Sequence, residues 1–215
     1  LAALILLLAA VPRAALAFDW ADGKSQWGIF LGDTRVGEQY TTFHHENGAL
    51  IVQHEIDLDV PRYLVLSKRY LQRVREVWRD GVLVELTTDT NNYDEISGID
   101  LTRTAQGSVV AGPAGRFLVP DSVVTSIFWE IEMTKNRPVL DLDSGRLVAV
   151  KFTPGALLPL RLGTEDVSAR HVTVSGDLAR ELWYTEDGLL FRQQYRDREG
   201  NLFDFRLDTR KLQRF

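Results

Sequence analysis

Apolar and polar residues alternate along most of this chain with a period of two, the spacing of half-buried β-strands. The pattern is clearest over 70–90, YLQRVREVWRDGVLVELTTDT, where two runs rich in Val, Leu and Trp flank Arg79-Asp80-Gly81. This predicts a β-hairpin. A two-residue Asp80-Gly81 turn would set Glu76 opposite Glu85, and like charges facing across a ladder are unfavourable. A three-residue loop with Gly81 in the left-handed conformation pairs Arg75 with Glu85, Val74 with Leu86 and Trp78 with Val82, so that register is expected. Tyr70, Gln72, Val74, Glu76 and Trp78 then share an inner face with Val82, Val84, Leu86 and Thr88. The other face carries Leu71, Arg73, Arg75 and Val77 with Leu83, Glu85, Thr87 and Asp89. An isolated buried carboxylate is costly, so Glu76 is expected near a rim, with a place in a site as the alternative.

The rest of the chain punctuates in the same way. A hairpin over 26–40 turns at Gly32-Asp33. Asn47-Gly48 reads as a two-residue type I′ turn, placing Phe43, His45, Leu50, Val52 and His54 on one face, continued by Ile56, Leu58 and Val60. Pro61, Tyr63, Leu64 and Val65 lead into the central hairpin, and Asn91-Asn92-Tyr93-Asp94 makes a polar turn after it. Short strands follow near 96–104 and 108–110. Asp121 or Ser122 caps a helix predicted from the spacing of Val124, Ile127, Phe128 and Ile131, ending by Asn136 before Pro138. A strand through Ile127, Trp129, Ile131 and Met133 fits the same residues. A further hairpin spans 140–152 around Ser144-Gly145. The stretch 153–159, TPGALLP, is expected to be an apolar loop that covers a barrel end or buries itself against the core. From Val167 onward the chain is strands again. Five turns repeat one form, from Asn47-Gly48-Ala49-Leu50 to Glu199-Gly200-Asn201-Leu202, with glycine free to take positive φ and leucine re-entering the sheet. The expected fold is mainly β: one strongly curved antiparallel meander, an open or closed barrel-like sheet, with one short helix.

Composition refines this reading. Residues 1–17 are set apart from the fold: 1–11 are almost purely Leu, Ala, Ile and Val, and Ala15-Leu16-Ala17 is a small-x-small site. Pro12 and Arg13 interrupt the run before the ~20 apolar residues of a membrane span. A cleaved secretory signal is expected, leaving a single domain over 18–215 in the periplasm; an uncleaved anchor is the alternative. The 215-residue chain has no cysteine, which rules out a disulfide framework and a thiolate nucleophile. A net charge of −5 with acids and bases interleaved speaks against nucleic acid as a partner.

Candidate chemistry is sparse. In the type I′ register His54 faces Thr41 and His45 faces Leu50, too far apart to share one ion with ~2.1 Å bonds, so no metal site and no cofactor are expected. HExxH, GxSxG and a P-loop are absent from the sequence, and Ser67-Lys68 lacks the spacing of a Ser-x-x-Lys pair. No catalytic residue is assigned; hydrolysis by paired carboxylates is retained as a minor alternative.

The segments GIFLGDTRVGEQY, KRYLQRVREVWRDGVLVELTTDTNN and ELWYTEDGLLFRQQYRDREGNLFDFRL resemble a bacterial exported family, domain of unknown function 6134. The resemblance runs from about Trp27 to Leu207 and is densest at Glu76-Val77-Trp78-Arg79-Asp80-Gly81. Its motifs are turn and core signatures, so it implies a fold and carries no activity or site residues. At the level of analogy, such a sheet is similar to lipoprotein-carrier half-barrels. The leading expectation is a non-enzymatic binder of an apolar or amphiphilic small molecule, lined by Tyr70, Glu76, Trp78, His54 and Trp129. The alternative is an envelope interaction protein with a filled core, presenting an edge strand or the TPGALLP segment to a protein partner.

Overall fold

The computed structural model describes residues 21–62, 66–93, 95–162, 165–197, 199–208 and 213–214. The expected signal segment, the Tyr63-Leu64-Val65 link and Asp94 lie outside the described residues. The chain runs β1 (Gly23–Leu31), β2 (Thr34–Glu46), β3 (Ala49–Arg62), β4 (Leu66–Arg79), β5 (Val82–Asn92), β6 (Glu95–Thr104), β7 (Gly107–Gly112) and β8 (Gly115–Val119). Next come β9 (Val124–Thr125), a 3₁₀ turn (Ile131–Thr134), β10 (Val139–Asp141) and β11 (Arg146–Val148). The last part is β12 (Val150–Leu162), β13 (Glu165–Gly176), β14 (Arg180–Tyr184), β15 (Leu190–Arg196), β16 (Leu202–Leu207) and β17 (Gln213–Arg214).

One antiparallel sheet takes the order β12-β13-β14-β15-β16-β1-β2-β3-β4-β5-β6-β7-β8, with β17 beside β1. It is a meander joined once out of sequence, where β16 returns to β1 through pairs such as Ile29↔Phe205. The sheet curls without closing, and its edges β12 and β8 stay apart in the pairing. A small sheet, β11-β10-β9, comes from the connection between those two edges. The connecting segment fills the concave side: Val123, Val124, Phe128, Trp129, Met133, Val139, Leu140 and Leu142 are buried in one cluster with Ile29, Val52, Leu86, Leu101, Tyr184 and Phe191. A curved sheet has one inner face to cover, and here the chain supplies the cover itself.

That segment is not the helix its spacing predicts. Val124 N–H donates to Pro138 O and Ser126 N–H to Leu140 O, making β9 a parallel partner of β10. Phe128 has φ 54° and Asn136 φ 47°, so helical backbone cannot run through either. The helical spacing arises because the plug is buried on several sides; seven of the eleven residues over 123–133 are apolar, and helix and strand periods both fit them.

The central hairpin also takes another register. Asp80 and Gly81 both have positive φ, 48° and 70°, which defines a type I′ two-residue turn. Pairing begins Arg79↔Val82 and Trp78↔Leu83, then passes to Val77↔Glu85 and Glu76↔Leu86. Val84 is the extra residue of a β-bulge. The bulge at Val84 keeps the two-residue type I′ turn and still separates Glu76 from Glu85. It turns Leu83 fully inward, while Val84 packs outside with Ala49, Ile51 and Val77. Arg75 faces Thr87 rather than Glu85, yet still forms an ion pair with Glu85 diagonally.

The stretch 153–159 is not a loop. It belongs to edge strand β12, bulged between Pro154 and Leu157, with Leu157 and Leu158 exposed. Prolines suit this position because an edge strand has outward N–H groups that need no partner. The type I′ turn at Asn47-Gly48 forms as read, pairing His54 with Thr41 and His45 with Leu50.

Candidate functional site

Strand alternation brings Glu76 and Trp78 inward on β4, and the plug delivers Thr125 and Trp129 to the same point. Glu76 is fully buried, so the rim position expected for it is overturned. Its Oε1 accepts from Thr125 Oγ1 at 2.5 Å; its Oε2 accepts from Trp129 Nε1 at 2.8 Å and Trp78 Nε1 at 2.9 Å. Burial pushes the carboxyl above its ordinary range, while the three donors pull the other way. These hydrogen bonds meet the requirement that a buried carboxylate be satisfied, with two donors on one oxygen and one on the other. Three of the five residues expected to line a site thus form a knot that fixes plug to sheet.

His54 lies one strand away and is equally buried. Its Nδ1 is 3.0 Å from Thr41 Oγ1, and among the described residues its Nε2 has no hydrogen-bond partner. Burial pulls the imidazole down to about 3, so the ring is neutral at physiological pH. His45, expected on the apolar face, instead stands exposed at the hairpin end, where its Nδ1 and backbone N–H both meet Asp22. Its ladder partner Leu50 is buried, whereas on the other side the pairing of β1 with β2 reaches only to Gly23↔Phe43 among the described residues. Among the described residues no group of three or more His, Asp or Glu is placed to hold a metal ion.

Tyr70 sits elsewhere, on the wall of a cavity of about 170 Å³. The cavity opens between two parts of the curled sheet, β2–β4 on one side and β14–β16 on the other, with the plug as its floor. Its apolar lining includes Ile56, Leu58, Val60, Leu142, Phe203 and Phe205. Tyr70 Oη donates to Asp143 Oδ1 at 3.0 Å, and burial together with Asp143 pushes the phenol above its ordinary value.

The polar lining was not singled out from sequence. Gln39, Gln72 and Gln193 line the cavity and are each 3–5% exposed. Each amide uses one of its two ends: Gln39 Nε2 donates to Thr41 Oγ1 at 3.3 Å, Gln72 Nε2 donates to Thr90 Oγ1 at 3.2 Å, and Gln193 Oε1 accepts from Arg180 Nη1 at 3.3 Å. Among the described residues their other ends have no partner. Arg180 lies over the Tyr195 ring, 5.1 Å from its centroid, and makes no ion pair among the described residues. Tyr195 in turn stacks on Phe203 at 5.4 Å, and burial pushes its phenol up to about 12. The signal that was present is parity: Gln72 falls on the inner face with Tyr70 and Val74, and Arg180 precedes Leu182 and Tyr184 by the same step of two. A buried amide with half its hydrogen-bonding capacity unused is equipped to meet something polar in the cavity.

The crystal structure of a β-barrel-like protein of domain of unknown function DUF1849 from Brucella abortus is similar, with a TM-score of 0.65 at 12% identity over 91% of this chain and 98% of that one. At that identity the likeness speaks for the fold alone. No curated protein matches the sequence. The family described as domain of unknown function (DUF6134) matches residues 27–208, nearly the whole of the curled sheet, and this chain belongs to that family.

Proposed function

We propose that this protein is a non-enzymatic, exported binding protein that takes a small amphiphilic ligand into the cavity between β2–β4 and β14–β16. The observation that carries this reading is the pairing of an apolar wall with three buried glutamines whose amides are only half used. Binding sites for small molecules are mostly apolar with a few placed polar groups, and that is the composition here. A cavity of about 170 Å³ compares with the roughly 150 Å³ engineered cavity that holds a benzene, so it accommodates a short chain or the head of a longer one. The apolar, Ala15-Leu16-Ala17-ended segment at 1–17 supports export to the periplasm.

Native mass spectrometry of the mature protein purified from periplasm, followed by solvent extraction, tests the reading. A co-purifying mass of amphiphile size, released by extraction and lost in Gln193→Leu, is the expected result. A bare chain that takes up no added amphiphile or fluorescent apolar probe would overturn it.

The second reading, an envelope partner on the β12 edge, draws support from the exposure of Leu157 and Leu158, 46% and 48%. Pro154 and Pro159 on that strand lack N–H donors and disfavour simple strand addition. Site-specific crosslinking from Leu158 in the envelope, with no adduct formed, would count against it.

A further inference from the structure

The cavity's donors and acceptors are not evenly spread. On the β14–β15 wall, Arg180 lies inward at the start of β14, stacked over Tyr195 and donating one N–H to Gln193 Oε1. The remaining guanidinium N–H groups and the Gln193 NH₂ therefore sit side by side, and among the described residues they have no acceptor. A guanidinium is always charged and offers five donors in a fixed fork. The cation–π contact with Tyr195 holds the guanidinium over that ring, 5.1 Å from its centroid.

Two carboxylates also line the cavity, and each is already committed. Asp197 Oδ1 accepts the backbone N–H groups of Glu199 and Asn201, and its Oδ2 accepts from Asn201 Nδ2, all at 2.9 Å. Asp143 Oδ1 accepts from Tyr70. The acids tie down a turn and the plug, whereas the base has donor capacity facing the cavity. From this asymmetry we infer that the ligand head recognised in the cavity is a carboxylate, held by the fork of Arg180 with the Gln193 amide beside it, its alkyl or aryl part lying against Leu58, Phe203 and Phe205. The inference rests on the cavity-binding reading and names the ligand class for the same site. Two parallel N–H···O bonds from one guanidinium would orient the carboxylate, and a cavity of about 170 Å³ leaves the rest of a longer chain in the mouth.

The test compares three probes that share one chain and differ in the head: hexanoate, 1-hexanol and hexyltrimethylammonium. Each is titrated into the ¹⁵N-labelled mature protein while amide shifts around the cavity are followed. The expected result is hexanoate binding roughly tenfold more tightly than hexanol, with the preference abolished in Arg180→Gln and reduced in Arg180→Lys, which keeps the charge and loses the fork. Equal binding of hexanoate and hexanol would overturn the carboxylate assignment and leave the cavity reading standing. Tightest binding by the ammonium would overturn it in favour of Asp143 and Asp197. Failure of all three probes to move cavity amides would remove the cavity reading itself. If Arg180→Gln does not fold, the ranking of the three probes on the native chain decides.

Discussion

The indole rings of Trp78 and Trp129 stand edge to face, centroids 6.0 Å apart and planes at 81°, with both N–H groups converging on one oxygen of Glu76. One tryptophan belongs to the sheet and the other to the plug. The carboxylate is therefore a clasp between two pieces of chain that are distant in sequence, with Thr125 closing its second oxygen.

Trp129→Phe keeps an aromatic ring against Phe43 and Trp78 and removes one donor from this clasp. A hydrogen bond to a charged group contributes about 1.5–3 kcal/mol, so urea unfolding should show a loss in that range. Unchanged stability would mean that the clasp contributes nothing beyond ring packing.

Glu130 supplies a pH dependence. Its side chain accepts from Glu132 N–H at the start of the 3₁₀ turn, and burial pushes its carboxyl from 4.5 up to about 7. The folded state thus holds the proton more tightly than the unfolded chain. The resulting contribution to stability is fully present below pH 4.5 and is lost as pH rises toward 7, with a slope of at most about 1.4 kcal/mol per pH unit. Stability measured across this window in wild type and Glu130→Gln should diverge as pH rises, in favour of the variant. Parallel profiles would show that Glu130 titrates normally.

His54 acts with the opposite sign. Burial lowers the imidazole from 6.5 to about 3, so the folded state refuses a proton that the unfolded chain accepts. Stability from this residue is present above pH 6.5 and declines as pH falls toward 3. His54→Gln should flatten the acid side of the profile. An unaltered acid slope, with the variant folded, would assign that loss to other groups.

Gly37 is a steric test of the register between β2 and β3. A Cβ there would lie 2.2 Å from the backbone oxygen of Asp57 and 2.8 Å from Leu58 Cδ2. Backbone cannot yield as a side-chain end does, so Gly37→Ala should cost at least the 1–3 kcal/mol typical of overpacking. A thermal melt indistinguishable from wild type would place the two strands further apart than the structure does.

Much of this was legible in the chain because strand alternation and glycine turns are local. Asn47-Gly48 fixed its register without help, and with it the burial of His54. The central hairpin was legible as a hairpin but not in register, because a bulge at Val84 depends on which of Leu83 and Val84 finds room inside. His45 has the parity of the core and lies outside it, since parity says nothing about where the pairing with a neighbouring strand stops. Tyr70 and Gln72 both line the cavity on the face that parity assigns them, but a single amide is ordinary until its neighbours are known.

The sequence alone therefore determined most of the strands and turns, the inner face of β3 and β4, and the family, all set by residues within a few positions of one another. Tertiary structure decided the rest. Residues 121–138 match helix and strand equally well when isolated, and the hydrogen bonds of Val124 and Ser126 to the β10 region make them a plug. Glu76 is 49 residues from Thr125 and 53 from Trp129, so only folding assembles the donors that let a carboxylate be buried. Gln39, Gln72, Arg180 and Gln193 come from strands on opposite sides of one cavity, and no local pattern links them. Curling of the sheet brings them together.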